Sequence, residues 1–309
     1  MNVHVLTAGY VTLDVMCRIS SLPHWDGRVT ADTVQLSPGG MAANAAVAAA
    51  TAGATARTFS QVAAGAVGDD VLRELQTHGV DVSHIDRPLD DTPATCVILV
   101  DGQGRRAIIS EPYELDWTTF DRWVGSVGHT PEPTALHVDG YHLDGALARR
   151  SLVRERAWWS SVDLDGCTEL DSERIAAVAA GFDVIVANEG LATVAGLEPM
   201  ALGEQLAAHG ATVAVTQGEQ GALIVTGDGG VTRLAVPKVD VLDTTGAGDV
   251  FTGSFLVHLL AGDTPLEAGR YATAAATLAT TARGARGFVP PPEVVARYEQ
   301  TTAAPVEGT

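Results

Sequence analysis

Short apolar runs and longer helical stretches alternate along most of this chain. Val3–Ala8 is apolar and ends at Gly9, which predicts a buried strand. Leu13–Leu36 is strand-like, with polar residues alternating around Val15, Ile19, Val29 and Val34. Pro38-Gly39-Gly40 breaks that pattern, and the alanine-rich stretch Met41–Ala52, closed by Gly53, predicts a helix. A strand is expected over Thr58–Ala63, and a helix over Asp70–His78, between Gly68 and Gly79. Thr95–Val100 and Arg106–Ser110, joined by Asp101-Gly102-Gln103-Gly104, carry a hairpin signal. Further strands are expected at Leu136–Val138, Ser161–Leu164, Val184–Ala187 and Val213–Thr216, each followed by helical or loop sequence. The tail from Thr301 is small and polar and reads as frayed.

Repeated βαβ units imply an α/β protein whose mostly parallel sheet is covered by helices on both faces. Two β-rich segments, 13–37 and 91–112, interrupt that order and are expected to pair as a small separate sheet. The net charge of −19 excludes nucleic acid and anionic membrane as natural partners, since both need clustered Lys and Arg. Lys238 is the only lysine, so no Gly-Lys-Ser/Thr tripeptide exists and P-loop chemistry is excluded. Cys17, Cys96 and Cys167 are far apart and show no metal-ligand spacing, which fits reduced thiols. The start, MNVHVLTAGY, lacks a basic segment and a long apolar run, and no stretch reaches about 18 apolar residues. A cytoplasmic protein is expected.

The stretch richest in chemistry is Asp243-Thr244-Thr245-Gly246-Ala247-Gly248-Asp249-Val250-Phe251. Apolar residues at Val250, Phe251, Phe255, Leu256, Leu259 and Leu260 predict a helix that starts near Gly246–Asp249 and buries one face. Gly-Ala-Gly lets a ligand approach the backbone closely and leaves amide groups free at a helix start, which makes an anion site. Asp249 in that first turn is either a favourable N-terminal charge or a general base beside the anion. A dinucleotide fingerprint is disfavoured, because Phe251 stands where its third glycine belongs.

Asp243–Phe255 strongly resembles the C-terminal signature of the PfkB/ribokinase family of carbohydrate kinases. Pro38-Gly39-Gly40-Met41-Ala42-Ala43-Asn44 is similar to that family's N-terminal signature. Gly9-x-x-x-x-Asp14, Val67-Gly68-Asp69-Asp70, Gly79-Val80-Asp81 and Thr216-Gln217-Gly218-x-x-Gly221 follow in the family's order. The resemblance implies a ribokinase-like three-layer αβα core made of 1–12, 38–90 and 113–309. Segments 13–37 and 91–112 would form a β lid that excludes water from the reaction. It implies ATP and Mg²⁺ as cofactors, a sugar-like small molecule as substrate, and a possible homodimer through the lid. Asp249 would be the catalytic base, and the amides of Gly246, Ala247 and Gly248 would stabilise the transferring phosphoryl group. Asp14 and Asn44 would bind sugar hydroxyls, with Gly39 and Gly40 letting the ring lie against the backbone. Asn188, Thr216, Gly218, Gly221 and Thr273 would contact the nucleotide.

Two positions depart from the family's pattern. Asn188-Glu189-Gly190-Leu191 has Leu191 where a magnesium-associated Glu is expected, which leaves Glu189, Asp163 or Asp243 to act through water. Phe288 occupies a position where some members use a Ser side chain for a monovalent cation, so potassium activation is not implied. Residues 238–251, 215–218 and 188–191 look most like the branch that includes sulfofructose kinase, but Ser110 and Tyr141 stand where that branch carries Asn and Arg, so no sulfonate clamp is evident. The acceptor is expected to be a ribokinase- or fructokinase-like sugar, with a nucleoside open. The alternative is a regulatory protein of the same fold that binds sugar or nucleotide without turnover.

Overall fold

The computed structural model describes residues 2–88, 94–102, 106–128, 131–236 and 238–302. The first strand, β1 (His4–Ala8), leads into β2 (Thr12–Arg18) and β3 (Thr33–Gly39). There follow α1 (Met41–Thr51), β4 (Thr55–Phe59), α2 (Ala66–Thr77), β5 (Thr95–Val100) and β6 (Arg106–Ser110). The middle of the chain gives α3 (Trp117–Ser126), β7 (Thr134–Asp139), α4 (Leu143–Ala148), α5 (Arg150–Glu155), β8 (Trp159–Asp163) and α6 (Ser172–Gly181). Then come β9 (Val184–Asn188), α7 (Glu189–Val194), α8 (Pro199–Ala207), β10 (Thr212–Thr216), β11 (Ala222–Val225) and β12 (Val231–Leu234). Three helices close the chain: α9 (Ala247–Leu260), α10 (Pro265–Ala279) and α11 (Pro292–Thr302).

The main sheet runs β12-β11-β10-β9-β8-β7-β1-β4. From β4 to β10 neighbouring strands are parallel, while β11 and β12 return antiparallel. Side chains on the two faces of this sheet belong to two separate apolar clusters, one with α3 to α8 and the other with α1, α2, α9 and α10. That is the three-layer αβα arrangement expected of buried parallel strands. A second sheet, β3-β2-β5-β6, joins the two β-rich segments, with β2 and β5 parallel at its centre. The β5 and β6 bounds are those expected from the pattern, and Cys96 pairs with Ser110 in their register. Of the turn between them, Gln103 and Gly104 lie outside the described residues, as does most of the tail from Thr301.

Three expectations need correction. Strand β4 spans Thr55–Phe59 rather than Thr58–Ala63, because its pairing to β1 runs from His4–Thr55 to Ala8–Phe59 and ends where Gly9 opens the site. Helix α2 starts at Ala66, not Asp70, so Gly68 lies inside it; a Cβ there would overlap the Ala63 carbonyl. Helix α9 is buried around most of its circumference rather than on one face, because α1 and α10 both pack on it. Gly253 allows that approach, since a side chain there would strike the α1 backbone at Ala45. Among the described residues no helix is long and apolar enough to cross a membrane, and Cys17, Cys96 and Cys167 are unpaired.

Candidate active site

The carboxyl ends of the parallel strands carry the polar residues: Asp139 ends β7, Asp163 ends β8, Asn188 ends β9 and Thr216 ends β10. Ligands of open α/β sheets bind at this edge, where backbone N–H groups and helix starts converge. The N-terminus of α9 is aimed at it, and Thr252 of that helix donates its hydroxyl to Asp163 at 2.9 Å.

The loop before α9 is built by its own polar residues. Asp243 accepts from the Thr245 amide at 2.9 Å, the Thr245 hydroxyl at 2.7 Å and the Gly284 amide at 2.9 Å. All three bonds serve the loop. Gly246 adopts φ 76°, a left-handed conformation that a side chain disfavours, and a Cβ there would lie 2.6 Å from that of Ala285. The Ala247 amide closes back on the Thr244 carbonyl at 3.3 Å, so it is only weakly available. Among the described residues the amides of Gly246, Gly248 and Asp249 make no hydrogen bond, and the space beside Gly248 is open. The free donors therefore include Asp249's own amide, which the sequence reading omitted. Arg106 of β6 reaches this loop and donates to the carbonyl and hydroxyl of Thr244, both at 3.1 Å. Arg105 lies outside the described residues.

On one side of this loop sit Asp14, Gly39, Gly40 and Asn44. Asn44, in the first turn of α1, donates from Nδ2 to Asp249 Oδ2 at 2.7 Å, joining two signatures 205 residues apart. Asp14 of β2 is 6% exposed, accepts from the Thr12 hydroxyl at 2.7 Å, and lies so close to Gly39 that a Cβ there would overlap its carboxylate. Burial raises the pKa of Asp14, opposed by the Thr12 bond and by the charge of Arg286. Gly40 caps α1 at φ 97°, packed on the Tyr10 carbonyl. The facing wall is hydroxyl-rich, with Ser110 and Tyr141 3.4 Å apart at their oxygens and the Tyr10 ring 4.8 Å from that of Tyr141. Asp139 locks this wall in place. It is fully buried, accepts from the Tyr10 amide at 2.6 Å, and pairs with His142 Nδ1 at 2.6 Å.

Asp249 remains partly accessible from the cleft but is densely surrounded. Burial holds its carboxyl well above the usual carboxylate range; Asp163 and Asp165 add to the rise, while the Asn44 bond and Arg106 oppose it. Asp163 itself is pushed up to about 7, first by burial and then by Asp165.

On the other side of the loop, Asn188 and Thr216 are register partners across β9 and β10. Asn188 Oδ1 accepts the Leu191 amide at 2.8 Å and so caps α7, leaving Nδ2 as its free donor. The Thr216 hydroxyl donates to the Ala187 carbonyl at 3.3 Å. Gly218 starts the next turn at φ 52°, and the Gly221 carbonyl accepts the Gln217 amide at 2.7 Å as the chain enters β11. Thr273 is 7% exposed on α10 and its hydroxyl has no partner. Leu191 is in the apolar core and holds no metal, whereas Glu189 is exposed and points its carboxylate near Gly218. Among the described residues no group of three His, Cys, Asp or Glu side chains is placed to hold a metal. An isolated carboxylate such as that of Glu189 fits Mg²⁺, which one or two carboxylates, phosphate oxygens and water can hold.

Arg286, Glu74 and Asp139 are the residues that sequence reasoning missed. Arg286 sits in a glycine-flanked loop after α10 and reaches Asn44 at 2.8 Å and the Gly39 carbonyl at 2.9 Å. Its only signal is an arginine in the segment Arg283-Gly284-Ala285-Arg286-Gly287, which was read for Phe288 instead.

A doubly wound α/β sheet here brings a helix start with free amides and a carboxylate together at the strand ends. The chain belongs to the pfkB family carbohydrate kinases, whose family model matches residues 4–291. It is therefore a phosphotransferase acting on an alcohol group. It is 29% identical over 310 residues to an ATP-dependent ribose-1-phosphate kinase of Halopiger xanaduensis, covering 96% of this chain and 98% of that protein. It is also 28% identical to the ribokinase of Bacillus subtilis, covering 93% and 96% of the two chains. Among solved structures, the nucleoside kinase of Burkholderia thailandensis in complex with inosine matches with a TM-score of 0.81 at 20% identity, over 96% of this chain and 98% of that one. At that identity it shows the shared ribokinase-like fold.

Proposed function

We propose that this protein transfers the γ-phosphoryl group of ATP to a hydroxyl of a sugar or sugar-like alcohol, ribokinase- or fructokinase-like in its acceptor. Asp249 takes the proton of that hydroxyl. The free amides of Gly246, Gly248 and Asp249, at the start of α9, receive the charge of the transferring group. Asp14, Asn44, Gly39 and Gly40 bind the acceptor. Asn188, Thr216 and Gly218 bind the nucleotide on the far side of the loop, while Gly221 shapes their turn and Thr273 lines α10 behind it. The observation that carries the reading is the 2.7 Å bond from Asn44 to Asp249, which sets the acceptor pocket and the anion site on one carboxylate.

The raised pKa of Asp249 suits the role, because a carboxylate that holds its proton more tightly is a stronger base once ionised. The relative described as ATP-dependent supports ATP as donor. Mg²⁺ would be held through Glu189 and phosphate oxygens, where it neutralises phosphate charge. The small sheet carries Asp14, and Arg106 of its edge strand bonds Thr244 of the loop before α9, which supports its role as a lid. Val34, Leu36 and Ile109 are exposed on one face of this sheet, which is consistent with pairing of two such sheets in a homodimer. ADP release across a panel of pentoses, ketoses and nucleosides tests the reading. Silence across the panel, with sugar-dependent thermal shifts retained, would instead support the non-catalytic binding protein.

A further inference from the structure

The Arg286 side chain is 4% exposed, and its guanidinium bonds to three other chain segments. Nη1 pairs with Glu74 of α2, Nη2 donates to the Gly39 carbonyl at 2.9 Å, and Nε donates to Asn44 Oδ1 at 2.8 Å. Asn44 then donates from Nδ2 to Asp249 Oδ2 at 2.7 Å. An unbroken line, Glu74–Arg286–Asn44–Asp249, thus runs from a helix outside the pocket to the proposed base. Neither of the two family signatures includes Arg286 or Glu74.

A guanidinium has donors and no acceptor. Asn44 must therefore turn its carbonyl oxygen to Arg286, and its amide nitrogen is the end that meets Asp249. We propose that Arg286 is a positioning residue for phosphoryl transfer, fixing the Asn44 amide so that it holds Asp249 by a donated hydrogen bond and offers the acceptor molecule donors only. The inference rests on Asp249 being the base. It also states what the pocket reads: the acceptor hydroxyl at Asn44 accepts a hydrogen bond, while one at an ionised Asp14 donates. A hydroxyl can do either, but a ring amine or an ether at these places satisfies only one.

The charges around the line decide how it responds to pH. Arg286 faces Glu74 from α2, Asp14 from β2 and Asp249 from α9. Asp249 faces Asp163 and Asp165 at the end of β8, and Arg106 from β6. His78 Nε2 lies 3.1 Å from Glu74 on α2, one step further out. Arg286 attracts both pocket carboxylates, and Glu74 draws on the same guanidinium from outside.

Two variants pull on this line in opposite directions. Carboxylate ¹³C NMR follows the ionisation of Asp249, whose resonance is assigned by its loss in Asp249→Asn. Arg286→Gln removes the cation and frees the Asn44 amide, so the Asp249 midpoint rises by about one pH unit. Its kcat with ATP and D-ribose or D-fructose falls about 10- to 100-fold, as expected for a misplaced reacting group, and KM for ATP is unchanged. Glu74→Gln also strips a partner from a buried ion pair and lowers Tm, but it leaves the guanidinium to the pocket carboxylates, so the Asp249 midpoint falls. A merely structural salt bridge would give both variants a lower Tm and no opposite shift. An unchanged midpoint in Arg286→Gln, or an unchanged or raised one in Glu74→Gln, overturns the proposal; if Arg286→Gln fails to fold, Glu74→Gln decides alone. Asp249→Asn with full turnover would sink the base itself. An inactive Asp249→Asn beside an unaltered Arg286→Gln would sink only the line that positions it.

Discussion

The two halves of the site are built by different means. On the acceptor side, Glu74, Arg286, Asn44 and Asp249 are linked by side-chain bonds across four chain segments. On the proposed nucleotide side, among the described residues, Asn188, Thr216 and Gly218 bond to their own loops and to the neighbouring strand. In the proposed acceptor half each of these polar groups is aimed by another. The proposed nucleotide half is a set of strand ends and turns whose polar groups bond locally. Substitutions should therefore fall mainly on kcat in the first half and on KM for ATP in the second.

The largest effect is expected at Asp249. Asp249→Asn should lower kcat by about 10³- to 10⁴-fold, the upper range for a positioned general base, while ATP binding by calorimetry stays nearly intact. Burial and neighbouring carboxylates raise the pKa of Asp249, so activity should fade on acidification at a higher pH than an ordinary carboxylate would give. The sign for stability is opposite. A carboxyl whose folded pKa is raised makes the fold weaker as pH rises through that value, since ionisation is resisted in the folded state. Asp249→Asn should thus raise Tm at neutral pH while it stops turnover. A lower Tm with normal turnover would reverse the assignment of this residue from base to structural cap.

Gly246 lies on the boundary between the two halves and should give the next largest loss. Alanine at φ 76° costs about 1–2 kcal/mol in backbone strain, and its Cβ would press on Ala285 at 2.6 Å. The loop must shift, and misplacing a donor to the developing charge costs about 10²- to 10³-fold in kcat. Steady-state kinetics at saturating ATP would show this. Normal kcat in Gly246→Ala would place the charge-stabilising donors elsewhere.

The strand ends of the proposed nucleotide half were legible because strand ends and turns are written locally. Val184–Ala187 and Val213–Thr216 are apolar runs stopped by polar residues, and the sheet sets Asn188 beside Thr216 with no further information. The glycine-rich start of α9 was legible for the same reason. On the proposed acceptor side the motifs held Asp14, Gly39, Gly40, Asn44 and Asp249, but not the residues that aim them. Arg286 and Glu74 follow no periodicity relative to them, since a contact 212 residues apart depends on how α2 and the loop after α10 pack. Helix α9 misled in a related way. Its burial on most sides reflects neighbours on both flanks, and an apolar pattern shows only that a face is covered, not how many partners cover it.

The smallest expected effect tests the nucleotide half directly. Oδ1 of Asn188 caps α7 through the Leu191 amide, and Nδ2 is the donor proposed for phosphate. Asn188→Ala loses both, so stability should fall by about 1 kcal/mol, the usual worth of an N-cap. KM for ATP should rise about tenfold, as expected when a hydrogen bond to a charged group worth about 1.5 kcal/mol is removed. Asn188→Asp keeps a capping oxygen and replaces the donor by a negative charge. Its Tm should match the parent while its KM for ATP rises at least as far as that of Asn188→Ala. If Asn188→Asp binds ATP as the parent does, Asn188 serves the helix alone, and the nucleotide half is backbone throughout.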